Sequence, residues 1–227
     1  MLKLESFPVG PLGCNCSLLW DADTGTGLVV DPGGDGVKIR ARVEKAGFRV
    51  EALLHTHAHF DHVGATKELQ ELWQCPAYLH LDDNYLIENL EMQTGGFGFN
   101  PIPKPEMQEL HAEDIFLGMA TLHTPGHTPG SCCFHGSFEK GKVVLAGDTL
   151  FRGGIGRTDL WGGDFGQLEQ SIRSQLYALD EGALVIPGHG PVSNVLLNLP
   201  ELIESFAKRS AFTGVFLHDL KRAARDS

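Results

Sequence analysis

The sequence predicts a single α+β domain built from layers of sheet and helix. Short apolar runs of strand length recur along the chain and stop at glycine-rich polar turns. Longer segments with apolar residues at helical spacing lie between these runs. No linker divides the 227 residues, so we expect one domain over 1–227, with a helical tail (about 200–227) packed on it.

The first part of the chain reads as strand, strand, helix, strand. Ser17 to Trp20 and Gly27 to Val30 are apolar runs separated by a hairpin-type turn, and Val37 to Ala46 has helical spacing. The run Ala52-Leu53-Leu54 predicts the buried end of a further strand. Asp31 closes the second run, where it is either a turn cap, which we favour, or a carboxylate that supports nearby metal ligands.

The middle of the chain predicts a helix over 65–74, a strand over 77–81 and a second helix over 82–92. The segment 94–105 is rich in glycine and proline, which argues against regular structure, but it also contains two phenylalanines. It is either a surface loop pinned by phenylalanine or a lid that faces the substrate.

The second half repeats short strands that end in polar turns. Strands are predicted over 120–122, 142–146 and 184–186, and a helix is predicted over 165–179. A final helix is expected over about 200–209, and the role of the tail 211–227 is left open.

The densest functional signal is the loop that follows Leu54, which reads His-Thr-His-Ala-His-Phe-Asp-His. Within six residues it offers His57, His59, Asp61 and His62, which would repel one another or stay hydrated unless a cation organised them. His57 and His59 are two residues apart, so an extended backbone points both imidazoles to the same side. Asp61 and His62 are adjacent and point in different directions, so one loop can serve two metal positions. A chance cluster of surface histidines is the less favoured interpretation.

Three later turns, each at the end of a predicted strand, carry one candidate ligand apiece. These ligands are His127 in Thr-Pro-Gly-His-Thr-Pro-Gly, Asp148 in Gly-Asp-Thr-Leu-Phe and His189 in Pro-Gly-His-Gly-Pro. Loops at one edge of a layered sheet converge in space even when they are far apart in sequence.

With these motifs the chain resembles the metallo-β-lactamase superfamily, and within it single-domain bacterial glyoxalase II-like (hydroxyacylglutathione hydrolase-like) proteins. The resemblance extends from about Asn15 to Pro191, and the segment 154–164 is specific to the subgroup. It implies a four-layer αββα sandwich of the metallo-β-lactamase type with a two-metal site at one edge of the sheets.

The resemblance also implies the ligand sets. One metal would be held by His57, His59 and His127, and the other by Asp61, His62 and His189. Asp148 would bridge the two metals, and both Asp61 and Asp148 are assigned catalytic roles. Histidine and carboxylate ligands favour zinc for both divalent ions, with iron or manganese as alternatives. Asp148 stands where lactamases with a cysteine ligand carry that cysteine, which argues against β-lactam substrates.

The expected reaction is hydrolysis of a thioester, namely S-lactoylglutathione or a related acyl-thioester. Metals lower the pKa of bound water from about 16 toward 7, so that a hydroxide is available near neutral pH. A thiolate leaving group, with a pKa near 8.5, needs little help from a general acid. Arg157 lies where the family carries a basic residue that binds glutathione, although a salt bridge within its loop is the alternative. Two departures from the family pattern weaken the prediction of glutathione specificity but not that of thioester hydrolysis. Asp159 replaces a glutathione-contacting tyrosine, and the helical C-terminal domain of longer glyoxalase II enzymes is missing.

Composition limits the partners. The formal charge of −11 argues against nucleic acid, and no apolar run reaches membrane-spanning length. The N-terminus lacks the apolar core of a signal peptide, and the five cysteines show no disulfide framework, so we expect a cytoplasmic protein with free thiols. The oligomeric state is left open.

Two other enzymatic functions compete with thioester hydrolysis. One is a mononuclear iron persulfide dioxygenase, which resembles this chain in the Gly-Arg-Thr-Asp segment but differs in the turns around His127 and His189. The other is a β-lactamase-like hydrolase of another substrate. A non-catalytic, metal-stabilised module would be expected to have lost a ligand, and none is missing. His55 and His123 are expected to hydrogen-bond to ligands.

Overall fold

Two six-stranded mixed sheets face each other in the computed structural model, which describes residues 1–139 and 141–195. The strands of the first sheet follow one another in chain order. They are β1 (Leu2–Val9), β2 (Cys14–Asp21), β3 (Thr26–Val30), β4 (Arg49–Leu54), β5 (Ala77–Leu79) and β6 (Met107–Glu109). The pairs β1–β2 and β2–β3 are antiparallel, whereas β3 through β6 pair in parallel.

The second sheet comes from the later part of the chain. Its strands are β7 (Ile115–Phe116), β8 (Met119–His123), β9 (Cys132–Phe138), β10 (Gly141–Gly147), β13 (Leu184–Pro187) and β14 (Ser193–Asn194). Their order is β14-β13-β10-β9-β8-β7, and β10 and β13 are the parallel pair. A small hairpin of β11 (Leu150–Phe151) and β12 (Gly154–Ile155) follows β10.

Helices occupy the outer faces and the connections. They are α1 (Gly36–Ala46), α2 (Phe60–Val63), α3 (Thr66–Trp73), α4 (Asn84–Glu88), α5 (Leu90–Gly96) and α6 (Phe165–Ser171). A 3-10 turn at Leu81–Asp83 precedes α4, and a π turn at Ile172–Leu176 continues α6. Among the described residues, no helix combines the length and apolar character needed to cross a bilayer.

The period-two alternation of the strands produces the layers. In β3, Leu28 and Val30 face the core between the sheets, whereas Val29 packs with Ile39 of α1 and Leu69 of α3. In the second sheet, odd-numbered residues of β10 face the inter-sheet core and even-numbered residues pack against α6 and the π turn. The resulting order of helix, sheet, sheet and helix confirms the predicted αββα sandwich.

Parallel pairing places the functional loops at one edge. The strands β3 and β4 run in the same direction, so Asp31 and His55 leave the first sheet at the same end. The strands β10 and β13 do the same in the second sheet, and they are followed by Asp148 and Gly188. The isolated bridge between Cys14 and His189 joins the two sheets at that edge.

The segment predicted as one helix over 82–92 is helical but not continuous, because two short helices meet at Asn89. The Asn89 side chain donates a 2.7 Å hydrogen bond to the Tyr85 carbonyl, and its backbone leaves helical geometry (φ −114°, ψ 26°). The expectation that 94–105 is irregular is wrong for its first three residues, which complete α5. There the Thr94 hydroxyl donates to the Leu90 carbonyl at 3.1 Å.

The remaining differences concern segment ends and omissions. Helix α6 changes to a π turn at Ile172, within the single helix predicted over 165–179. The sequence patterns do not predict seven of the strands in the described residues, namely β1, β6, β7, β9, β11, β12 and β14. Phe97 and Phe99 each lie 5.4 Å from the Phe60 ring, which agrees with a loop pinned by phenylalanine. The expected helix over 200–209 and the tail 211–227 lie outside the described residues.

Candidate metal centre

The first set of ligand side chains is a triangle of imidazoles from two loops. His57 Nε2 and His127 Nε2 each lie 3.0 Å from His59 Nδ1. The three ring planes are mutually inclined by 82–88°. Metal–nitrogen bonds of about 2.0–2.1 Å in a tetrahedral site separate ligand atoms by roughly 3.3 Å, close to these distances. Perpendicular rings also allow three in-plane lone pairs to converge on one point.

The second set combines Asp61 and His62 of the same loop with His189, which follows β13. His189 Nε2 lies 3.1 Å from Asp61 Oδ2 and 3.3 Å from His62 Nε2. His62 Nε2 lies 3.8 Å from Asp61 Oδ2. Adjacent positions in α2 therefore point a carboxylate and an imidazole toward a histidine from the far end of the second sheet's chain segment.

Asp148 lies between the two sets. Its Oδ1 atom is 3.4 Å from His62 Nε2, and its Oδ2 atom is 3.5 Å from His127 Nε2. Oδ1 is buried and has no hydrogen-bond partner among the described residues. A buried carboxylate oxygen without a donor costs free energy, so this arrangement fits a cation that both sets share. The seven residues thus suit two divalent metals.

Hydrogen bonds to the far ring nitrogens orient the imidazoles. The Nδ1–H group of His127 donates to the Arg157 carbonyl at 2.7 Å, and that of His189 donates to the Leu12 carbonyl at 3.1 Å. In His62 the same atom donates to Asp31 Oδ2 at 3.0 Å. Because a carbonyl or carboxylate only accepts, each bond places a proton on Nδ1, and in the neutral imidazole the Nε2 lone pair is then directed into the site.

Burial keeps the first set of histidines in the form that binds metal. Burial, together with neighbouring imidazoles, lowers the pKa of His57 well below its usual value and that of His59 to about 3. Burial alone would raise the pKa of Asp148, but His189, His62 and His127 hold it well below the usual range. Neutral imidazoles and an ionised carboxylate are the states that ligate metals.

Close backbone contacts require glycine beside the ligands. A Cβ atom on Gly188 would lie 2.1 Å from Asp148 Oδ1, and one on Gly156 would lie 1.8 Å from the Asp148 carbonyl oxygen. A Cβ on Gly33 would lie 1.7 Å from the Asp61 carbonyl oxygen. The glycine-rich turns seen in the sequence therefore let three separate loops approach the ligands.

Arg157 does not extend freely toward the ligands. Its Nε and Nη2 atoms donate to both carboxylate oxygens of Asp159 at 2.7 and 2.8 Å, which is the salt bridge named as the alternative to substrate binding. Its carbonyl accepts the His127 hydrogen bond. The residue therefore borders the site through its backbone, while its guanidinium is paired within the loop.

Two histidines expected to contact ligands do not do so. His55 Nδ1–H donates to the Tyr78 carbonyl at 3.0 Å, and its Nε2 lies 2.8 Å from the Thr66 hydroxyl. His123 Nε2–H donates to the Pro129 carbonyl at 2.9 Å. Both rings support the backbone beside the ligand loops.

A further group, His80, Asp82 and His123, has potential ligand atoms within 4.8 Å of one another. The His80 and His123 rings are stacked, with centroids 4.1 Å apart and planes inclined by only 10°. Lone pairs in parallel, separated planes cannot meet at one ion. This group therefore lacks the ring orientation that distinguishes the first set.

The Asp31 carboxylate contacts His62 and Thr56, so the favoured interpretation as a turn cap is wrong and the contacts agree with the alternative, a carboxylate that supports a candidate metal ligand. Other supporting residues carry no local signal in the sequence. Asn15 donates to the carbonyls of Pro187 and Gly190 at 2.9 and 3.0 Å and so braces the turn that carries His189. Asp83 and Gln93 hydrogen-bond to the backbone beside His57 and His59.

Comparison with known families gives one match. The family described as "Metallo-beta-lactamase superfamily" matches residues 9–189. Among curated proteins, a "Probable metallo-hydrolase YqgX" of Bacillus subtilis is 39% identical, with 86% of this chain and 93% of the relative covered. A "Hydroxyacylglutathione hydrolase GloC" of Haemophilus influenzae is 37% identical, with the same coverage of 86% and 93%.

Solved structures agree with this match. The structure titled "BLEG-1 B3 metallo-beta-lactamase" superposes with a TM-score of 0.79 and 31% identity, covering 88% of this chain and 99% of the other. "TTHA1623 in a di-iron-bound form" gives a TM-score of 0.77 and 36% identity, covering 85% and 96%.

Proposed function

Because this chain belongs to the metallo-beta-lactamase superfamily and is a metal-dependent hydrolase, we propose that it hydrolyses small acyl-thioesters in a glyoxalase II-like reaction. The observation that carries the proposal is the position of Asp148 between two complete ligand sets, with an oxygen directed toward each. The proposed substrate is S-lactoylglutathione or a related acyl-thioester.

The proposed cofactors are two divalent metal ions, with zinc first and iron or manganese as alternatives. The first ion would be held by His57, His59 and His127, the second by Asp61, His62 and His189, and Asp148 would be shared. When bound, such ions supply a water that ionises near neutral pH and stabilise negative charge on a carbonyl oxygen. The di-iron form of TTHA1623 supports iron as one of the alternatives.

The protein's own contribution is orientation and charge. Backbone carbonyls and Asp31 hold three imidazoles with Nε2 directed inward, so little rearrangement accompanies metal binding. Asp61 and Asp148 remain ionised, because histidines around each carboxylate hold its pKa below the usual range despite burial. An ionised carboxylate can accept a hydrogen bond from a water molecule in the site, and for this reason we assign catalytic roles to both.

A thioester suits this site better than an amide. The departing thiolate has a pKa near 8.5, so it leaves near neutral pH without a proton donor. An amide nitrogen needs such a donor, whereas the side chains gathered here are lone-pair donors and carboxylates. The Haemophilus relative described as a hydroxyacylglutathione hydrolase supports the same class of substrate.

The Arg157–Asp159 pair offers a test of whether glutathione is recognised. If the guanidinium binds a glutathione carboxylate, that carboxylate must displace Asp159. Asp159→Asn would then lower KM for S-lactoylglutathione and Arg157→Ala would raise it. Neither change would affect a thioester of N-acetylcysteamine, which has no carboxylate on its thiol part. Equal responses to both substrates would remove Arg157 from the proposed binding site.

The function itself is tested by metal analysis of purified protein beside three assays: hydrolysis of S-D-lactoylglutathione, glutathione-persulfide-dependent oxygen uptake, and β-lactam turnover. The β-lactam assay is included because the BLEG-1 structure is that of a B3 metallo-beta-lactamase. We expect two metals per chain and activity in the first assay alone. One iron per chain with oxygen uptake, or turnover of β-lactams alone, would overturn the proposal.

A further inference from the structure

Asp83 is a buried carboxylate outside both ligand sets, and it joins the two loops that carry the first set. It ends the 3-10 turn Leu81–Asp83 and is fully buried. Its Oδ2 atom accepts a hydrogen bond from the Ala58 N–H at 3.0 Å and another from the Thr128 hydroxyl at 2.8 Å. Its Oδ1 atom accepts the Gly130 N–H at 2.7 Å.

The three donors lie in the two loops that carry His57, His59 and His127. Ala58 lies between His57 and His59, and Thr128 directly follows His127. The first loop leaves β4 of one sheet, and the second connects β8 to β9 of the other. A single carboxylate therefore bridges the backbones that carry all three imidazoles of the first set, in addition to the hydrogen bond from the Cys132 N–H to the Thr56 carbonyl at 2.7 Å.

The contact is tight and electrostatically costly. A Cβ atom on Gly130 would lie 2.7 Å from Asp83 Cγ, so the second loop packs directly on the carboxyl group. All three donors are uncharged. Burial raises the pKa of Asp83 to about 6, although its hydrogen bonds with Thr128, Gly130 and Ala58 favour the ionised form. Burying a carboxylate among neutral donors is expensive, whereas a neutral side chain would fill the same space at lower cost.

Gln93 holds the same ligand loop from the other side. Its Oε1 atom accepts the Phe60 N–H at 3.0 Å, and its Nε2 atom donates to the carbonyls of Ala58 and Leu86 at 3.2 and 2.9 Å. The backbone on both sides of His59 is therefore fixed from α5. What Asp83 adds is the connection from this loop to the loop of His127.

We infer that Asp83 is a positioning residue that sets the metal affinity of the His57–His59–His127 site selectively, with little effect on the Asp61–His62–His189 site. The selectivity follows from the contacts, because the second set is held by different groups. Asp31 orients His62, and the Leu12 carbonyl orients His189. The inference rests on the two-metal centre of the proposed function but is independent of the substrate.

The test is a cobalt(II) titration of metal-free protein, followed by visible absorption and by competition with a chelator. His59→Ala and His189→Ala each remove one ligand and so identify which binding step belongs to which site. In Asp83→Asn, an amide NH2 group replaces one acceptor oxygen and must face N–H or O–H donors. In Asp83→Asn, we expect the cobalt-binding step that is absent from His59→Ala to weaken by about 10- to 100-fold, as for other groups that orient ligands. The step lost in His189→Ala should change less than about twofold, within the ordinary scatter for an independent site.

Asp82→Asn is the matched control, because it makes the same change one position earlier on a carboxylate that is 58% exposed. Both binding steps should keep the parent affinity in this control. If Asp83→Asn does not fold, Thr128→Val removes one of the donors with little change in shape and should weaken the same step by a smaller factor.

Unchanged binding in Asp83→Asn, or equal weakening of both steps, would overturn the inference. Cobalt binding by the parent without thioester hydrolysis would contradict the proposed function and leave the inference intact. A parent that binds no cobalt would contradict both.

Discussion

His62 Nδ1 lies 3.0 Å from Oδ2 of Asp31, the first residue after β3. Asp31 also accepts the Thr56 N–H at 2.8 Å and the Thr56 hydroxyl at 2.7 Å, so its carboxylate is held by the residue next to His57. One strand end of the first sheet thus orients a histidine of the proposed second metal site and contacts the backbone that leads to the proposed first site.

Replacing this carboxylate with an amide should weaken the second metal site. In Asp31→Asn the backbone can stay in its left-handed conformation (φ 50°), which asparagine tolerates. The amide can no longer offer acceptors to every donor that Asp31 serves, so His62 is less firmly oriented. We expect affinity at the Asp61–His62–His189 site to fall by about 10- to 100-fold in chelator competition. Asp35→Asn, the same change at another left-handed residue (φ 52°), should leave affinity at the parent value.

Removing His59 should abolish turnover. His59 Nδ1 is the atom that both His57 and His127 approach at 3.0 Å, so His59→Ala leaves the first set with two ligands. We expect the loss of about one metal per chain and a fall in kcat of roughly a thousandfold, because a bound metal supplies several kcal/mol of transition-state charge stabilisation and about 1.4 kcal/mol is tenfold in rate. His111→Ala, a change at an exposed histidine, is the control for both measurements. Full activity with intact metal content would contradict the assignment of this site.

A methyl group on Gly188 should displace Asp148. The added Cβ would lie 2.1 Å from Asp148 Oδ1 and 2.8 Å from His62 Cε1, so either the carboxylate or the turn must move. We expect Gly188→Ala to lower kcat/KM and metal content while costing about 1–3 kcal/mol of unfolding free energy, the usual range for overpacking. Gly96→Ala places its methyl group in open space and should retain parent activity. A fully active Gly188→Ala enzyme would show that Asp148 is not constrained as described.

His55 should make the unfolding free energy depend on pH. Burial lowers the pKa of His55 from 6.5 to about 4, so the unfolded chain takes up a proton at higher pH than the folded protein. The unfolding free energy is therefore not reduced by His55 above pH 6.5, and it falls as the pH drops from 6.5 toward 4, where only the unfolded chain is protonated at this residue. The loss amounts to about 3 kcal/mol for 2.5 pKa units. His55→Gln removes this titration, so denaturant unfolding of both metal-free proteins should show a steeper fall for the parent across that window. Parallel pH profiles would contradict the assigned shift.

The ligand loop shows how far the sequence alone could lead. Four strong ligand groups in six residues predict a metal site without any structure, because metal-ligand groups rarely cluster so densely by chance. Periodicity also located α1 and α3 to within one residue at each end, since their buried faces follow the helical repeat. In contrast, the break at Asn89 coincides with a side-chain hydrogen bond to the Tyr85 carbonyl that no periodic pattern reveals.

By itself, the sequence determined which chemical groups are available: the histidines and carboxylates, the glycines beside them, and the strands that these groups follow. Only the tertiary structure decided how those groups are held. The contact of Asp31 with His62, the pairing of Arg157 with Asp159 and the three donors around Asp83 join segments that periodicity and motif spacing do not relate. The physical reason is that a ligand's identity resides in one residue, whereas its orientation and protonation depend on partners that only packing brings within 3 Å.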